Sequence, residues 1–243
     1  MNKQAILLSA AMLLLGSVGG FLIANSINRT QLNALRSELE NTKATSISDT
    51  SEGPNLSDDE IHSAIAKADQ NANDLSLQRN VGISLYRWGA MKKDAALISE
   101  AARILERAIK LAPEDNDLAI SAGNAYFDVG YFNNDNAALS KAREYYEKAL
   151  ARKPDDVDVR TDLGITYYLE NPPADAKAIA EFKRSLSKNP KHEKTLEFII
   201  QALVRQGNNA EATKYLSQLR ESDPTSSALP SLTAQVEEQT APK

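Results

Sequence analysis

The side chains best equipped for chemistry are few in this chain of 243 residues, and they are scattered. His62 and His192 are the two histidines, far apart in sequence. An imidazole can shuttle a proton near neutral pH or bind a metal, but either task needs a partner at fixed spacing. Neither histidine has one, so a surface position is the expectation for both. There is no cysteine, which excludes structural disulfides, thiolate metal sites and cysteine nucleophiles. Adjacent carboxylates such as Asp155-Asp156 could work as an acid and a base. They follow Pro154 directly, however, in "KPDDVD", where an aspartate caps a new helix. "NNDNAALSKARE" has acids and amides but lacks the glycine and spacing of a calcium loop. Nucleotide-loop, serine-elbow and zinc-helix motifs are missing. The expectation is no catalysis, no cofactor and no metal.

What, then, do these caps and stops organise? The net charge is -5 with a pI of about 5.2. An acidic chain lacks the basic face that a non-specific nucleic-acid binder needs. From Ala5 to Ala24 the chain runs 20 residues without a charge, "AILLSAAMLLLGSVGGFLIA". As a helix this covers about 30 Å, the thickness of a bilayer's hydrocarbon core. Residues 1–27 are therefore expected to be an N-terminal transmembrane helix, an uncleaved signal anchor; a cleaved secretory signal is the alternative. The short N-terminal tail favours the N-terminus in the cytoplasm. The remainder then lies across a cell inner membrane, single-pass, with the C-terminal domain periplasmic. Gly16, Gly20 and Ala24 repeat every four residues, and Leu32, Leu35 and Leu39 follow at heptad spacing. Both features point to possible homo-oligomers. Residues 28–57 read as a short helix and a Ser/Thr-rich flexible linker.

Beyond the linker the sequence repeats. Gly82, Gly123 and Gly164 are 41 residues apart, as are Gly89 and Gly130, Asp94 and Asp135, Ala101 and Ala142, and Pro113 and Pro154. Pro190 and Pro224 continue the series at intervals of 36 and 34. Each interval holds two helix-patterned segments. In one of them Ala142, Tyr145, Tyr146, Ala149 and Leu150 fall on one helical stripe. Lys148, Arg152 and Lys153 favour its C-terminal end, and Pro154 stops it. "APEDND" and "NPKHEK" repeat the device, the second without an acidic cap. Glycine in mid-helix costs about 1 kcal/mol against alanine. That cost is explained if Gly82, Gly123 and Gly164 let the second helix of each unit approach closely, with Ala101, Ala142, Ala178 and Ala212 as the small partners. The first two units hold seven extra residues between glycine and alanine, and Asp94 and Asp135 look like caps of second helices that begin early.

This pattern resembles the tetratricopeptide repeat, a helical hairpin of about 34 residues. The second unit supplies Gly123, Tyr126, Gly130, Ala142, Tyr146, Ala149 and Pro154; the third Gly164, Tyr167, Ala178, Phe182 and Pro190; the first Gly82, Leu85, Gly89, Ala101, Leu105, Ala108 and Pro113. The fourth, Ile200, Leu203, Gly207, Ala212, Leu216 and Pro224, departs most. The resemblance implies an all-α, right-handed helical-hairpin solenoid: about four such units over residues 58–226, with capping helices near Asp58 to Asn71 and Pro230 to Gln239. Residues 227–243 would be a C-terminal capping helix and tail.

In that family the first helices line a concave groove that holds a peptide or partner protein. Carried over by position, the groove residues are Arg79, Ile83, Tyr86 and Arg87, then Asn124, Phe127 and Asp128, then Asp158, Asp162 and Tyr168, then Gln201 and Arg205. Tyr86, Phe127 and Tyr168 are the leading candidates. Some members clamp a terminal carboxylate. Arg79 and Asn124 echo that clamp, but Ile83, Asp158 and Asp162 stand where it needs asparagine and basic residues. The functional expectation is a membrane-tethered interaction scaffold or adaptor, binding a protein or peptide and no nucleic acid. An accessory assembly factor in an envelope pathway, such as cytochrome c maturation, is one alternative; a self-associating scaffold is another.

Overall fold

A computed structural model describes residues 57–240. Ten helices follow one another with no strand among the described residues. They are α1 (Asp58–Gln70), α2 (Leu75–Lys92), α3 (Ala95–Leu111), α4 (Asn116–Asn133), α5 (Asn136–Arg152), α6 (Val157–Leu169), α7 (Asp175–Lys188), α8 (Glu193–Arg205), α9 (Asn209–Ser222) and α10 (Leu229–Thr240). The pairs α2/α3, α4/α5, α6/α7 and α8/α9 are four hairpins of a solenoid, each also packing on the next. The expected transmembrane helix, Gly16, Gly20 and Ala24, and the linker fall outside the described residues. No helix among the described residues is long and apolar enough to cross a membrane.

The caps of α3, α4, α5 and α6 fall where the sequence places them, and Asp74 adds one on α2. Asp74, Asp94, Asp115, Asp135 and Asp156 each stand at a helix N-cap and accept a backbone N–H of the first turn. This satisfies donors that the helix itself leaves open. α7 and α8 begin differently: Ala174 and His192 occupy their N-caps without a side-chain cap bond.

Two expectations are corrected. The glycines do approach the second helix closely, but the group they make room for is large. A Cβ on Gly123 would lie 2.7 Å from Tyr146 Cε1, and one on Gly164 2.5 Å from Phe182 Cε1. On Gly82 it would lie 2.8 Å from Leu105 Cγ. The alanines lie one turn earlier on the second helix and are not the partners. Glycine here admits a fully buried ring or Leu side chain, which recovers in packing what the helix loses in propensity. Second, the seven extra residues do not go to the second helices alone. α2 and α4 have 18 residues against 13 in α6 and α8, while α3 and α5 have 17 against 14 in α7 and α9. The first helices take the larger share.

At the ends, α1 packs Ile61, Ile65 and Ala68 against Leu85, Leu97, Ala101 and Ile104. α10 buries Leu232 and Val236. Both cover faces that a repeat array cannot leave open.

A first-helix face as candidate partner-binding site

The twelve groove candidates sit on α2 (Arg79, Ile83, Tyr86, Arg87), α4 (Asn124, Phe127, Asp128), α6 (Asp158, Asp162, Tyr168) and α8 (Gln201, Arg205). The structure brings several together by bonds between successive repeats. Tyr86 Oη donates to Asp128 Oδ2 at 3.0 Å. Tyr168 Oη donates to Gln201 Oε1 at 3.2 Å, and the Arg205 guanidinium lies 3.9 Å from the centre of the Tyr168 ring. Arg205 also donates to Tyr168 O at 2.8 Å and forms an ion pair with Asp175. Arg79 pairs with Asp115, the α4 cap. Asn124 is held from within its own hairpin, accepting from the buried Tyr146 Oη at 2.9 Å. Ile83 is half-buried.

Exposure sorts the candidates further. Phe127 is 7% exposed, Tyr168 9% and Asp128 4%. Two of the three aromatics expected to lead recognition, Phe127 and Tyr168, are therefore core. Tyr168 meets Phe198 edge-to-face at 5.5 Å. Alanine at Phe127 or Tyr168 would remove packing as well as any contact with a partner. Tyr86, Asn124 and Gln201 keep part of their surface.

The electrostatics follow from burial. Asp128 is pushed up to about 7 by its loss of solvent, with the Tyr86 hydroxyl bond pulling the other way. Asp162 is also raised by burial, opposed by Lys194, whose Nζ stands 2.6 Å from Asp162 Oδ1. Asp158 is held below its ordinary value by its bond from His192. The acidic centre of this face is thus mixed: burial favours the neutral form of Asp128, Lys194 balances Asp162, and His192 favours the charged form of Asp158.

His192 corrects the expectation of a surface histidine. Its side chain is 18% exposed; Nε2 lies 3.1 Å from Asp158 Oδ1 and Nδ1 2.6 Å from Thr195 Oγ1. Thr195 continues to Thr161 at 2.6 Å and Ser185 at 3.1 Å. An Asp-His-Thr order invites comparison with a nucleophile relay. Thr195, Thr161 and Ser185 are all fully buried, so no substrate reaches the hydroxyls. The chain of bonds instead ties α6, α7 and α8 together. Sequence reasoning missed Lys194, Asp175 and Thr195, and the pairing of Asp115 with Arg79; a polar pair across two repeats leaves no periodic mark. Among the described residues no group of three or more His, Asp or Glu could hold a metal ion.

Tetratricopeptide-repeat family models match residues 138–193 and 176–236. Solved structures with the same arrangement include YrrB, described as a tetratricopeptide-repeat protein with an unusual peptide-binding site. It is 16% identical at a TM-score of 0.57, over 72% of this chain and 84% of YrrB. MamA from Desulfovibrio magneticus RS-1 is 16% identical at a TM-score of 0.55, over 70% and 86%. MamA of MSR-1 is 22% identical at a TM-score of 0.52, over 75% and 90%. At these identities the likeness is one of fold. No curated protein matches the chain.

Proposed function

We propose that this protein is an interaction scaffold that holds an extended segment of a partner protein against the face formed by α2, α4, α6 and α8. The observation that carries the reading is the bonding between successive first helices. Tyr86 to Asp128 and Tyr168 to Gln201 fix neighbouring side chains of that face in one geometry. A face ordered before the partner arrives spends less conformational entropy on binding. Asn124 and Gln201 each receive a tyrosine hydroxyl on the amide oxygen. Their N–H₂ groups remain to donate to the carbonyls of a peptide. The peptide-binding site described for YrrB supports the same use of the fold. In this reading Ala5–Ala24 tethers the array to a membrane, with the array on the extracytoplasmic side.

The test replaces side chains that line the face without filling the core. The full-length chain carrying Ile83→Glu and Gln201→Glu keeps an acceptor for Tyr168 and changes the chemistry of the face. Its thermal melt should stay close to wild type while in-cell cross-links to the native partner are lost. Unchanged cross-links would overturn the reading. Protease treatment of spheroplasts tests the tether: the array should be digested from outside.

A further inference from the structure

Most charged side chains of the first-helix face are committed to other parts of the array. Arg79 pairs with Asp115, Asp162 with Lys194, Arg205 with Asp175, and Asp158 with His192; Asp128 takes the Tyr86 hydroxyl. Arg87 differs. It is half-buried on α2, and among the described residues it has no hydrogen-bond acceptor and no ion-pair partner. Burial alone pulls its guanidinium below the ordinary value, with no carboxylate opposing. Partial loss of water weakens the solvation of a cation, and an incoming carboxylate offsets that loss.

The repeat explains why the position is open. A step of 41 residues carries Arg87 onto Asp128. On α4 that position faces the preceding first helix, which supplies Tyr86. α2 has no first helix before it among the described residues. α1 is a second-type helix, packed through Ile61, Ile65 and Ala68. Among the described residues, a slot that Tyr86 fills on α4 has no first helix to fill it on α2, and it presents a cation where α4 presents an acid.

We propose that the open edge of α2 docks an acidic side chain, Asp or Glu, of an extended partner segment. The carboxylate pairs with the Arg87 guanidinium through two parallel bonds, and the segment continues over Ile83. Arginine is suited to this, since its planar fork matches a carboxylate. A chain-terminal carboxylate needs donors on both sides, and on this face Ile83 lies one turn before Arg87 while Asp128 takes its register position on α4. A nucleic-acid backbone would bring further phosphates against Asp128, Asp158 and Asp162. One carboxylate on an otherwise uncharged stretch satisfies Arg87 and avoids the acidic centre. The proposal rests on the reading of this face as partner-binding.

Random-sequence peptides displayed on phage, fused through their C-termini so that no chain-terminal carboxylate is presented, provide the probe. The baits are the full-length wild-type chain, Arg87→Glu, Arg87→Gln, and the Ile83→Glu/Gln201→Glu variant, each checked for folding by circular dichroism. Peptides selected on wild type should carry Asp or Glu at one fixed place. They should bind Arg87→Gln roughly tenfold or more weakly, the scale of a charge-assisted bond. Selection on Arg87→Glu should replace the acid by Lys or Arg; if that variant does not fold, Arg87→Gln carries the comparison. Peptides that bind wild type and the Arg87 variants equally, yet lose binding to the Ile83→Glu/Gln201→Glu variant, would overturn the Arg87 proposal and leave the face intact. If no peptide is enriched on wild type over that variant, both readings fall.

Discussion

The first two hairpins and the last two solve the same packing problem with different parts. α2/α3 and α4/α5 repeat at 41 residues, each first helix carries two glycines, and an aspartate caps each second helix. α6/α7 keeps one glycine, against Phe182, and starts its second helix from Ala174 with no cap bond. α8/α9 has Ile200 where the others have glycine, fully buried, and Leu216 at the position of Tyr146 and Phe182. The lesson is that small and large can trade places across a hairpin. What is kept is a close-packed interior and not a fixed residue at either position, since Gly82 faces Leu105 in the first hairpin while Ile200 and Leu216 are both buried in the fourth.

The strongest way to break this comparison is to put the fourth hairpin's residue into the second. Gly123→Ile should destabilise by about 3 kcal/mol or more, since Tyr146 is buried and cannot move aside. Adding Tyr146→Leu should recover part of the loss, as read by denaturant unfolding of both variants. A double variant no more stable than the single one would show that volume exchange is not the rule here.

Acidity gives the next effect. Asp128 on α4 and Glu197 on α8 are each pushed up to about 7 by burial. A raised carboxyl binds its proton more tightly folded than unfolded. Stability from these groups is therefore fully present below the unfolded value, near pH 4, and falls as pH rises to about 7. Asp128→Asn with Glu197→Gln should flatten that fall and raise Tm at pH 8 by roughly 3–8 °C, with little change at pH 4. Thermal melts across pH check it; parallel curves for the variant and wild type would contradict the assignment.

Two smaller changes sharpen the contrast at the turns. Lys93 and Asn134 are register equivalents that end α2 and α4 with φ of 56° and 52°. Lysine bears that left-handed geometry less well than asparagine or glycine, so Lys93→Gly should stabilise by about 0.5–1 kcal/mol, while Asn134→Lys should destabilise. Smallest is the missing cap: Ala174→Asp should add about 0.5 kcal/mol, and Asp135→Ala should remove about 1 kcal/mol. Chemical denaturation of the four variants ranks them.

How much of this was written in the chain? The hairpins were, because apolar stripes, proline stops and aspartate caps act within a few residues of one another. Asp94, Asp115, Asp135 and Asp156 could be assigned as caps from their neighbours alone. The face was half legible. Register placed all twelve candidates on first helices, but it did not reveal that Phe127 and Tyr168 turn inward while Arg87 has no partner among the described residues.

The sequence by itself determined an all-helical repeat, its period, its glycines and its acidic caps, since these rest on local backbone preference and on spacing. Tertiary structure alone decided that the glycines house rings, that Lys194 neutralises Asp162, and that His192 ties Asp158 to a buried hydroxyl chain. Those outcomes depend on residues brought together from different helices. Burial and proximity set their energies, and neither is a property of any short stretch of chain.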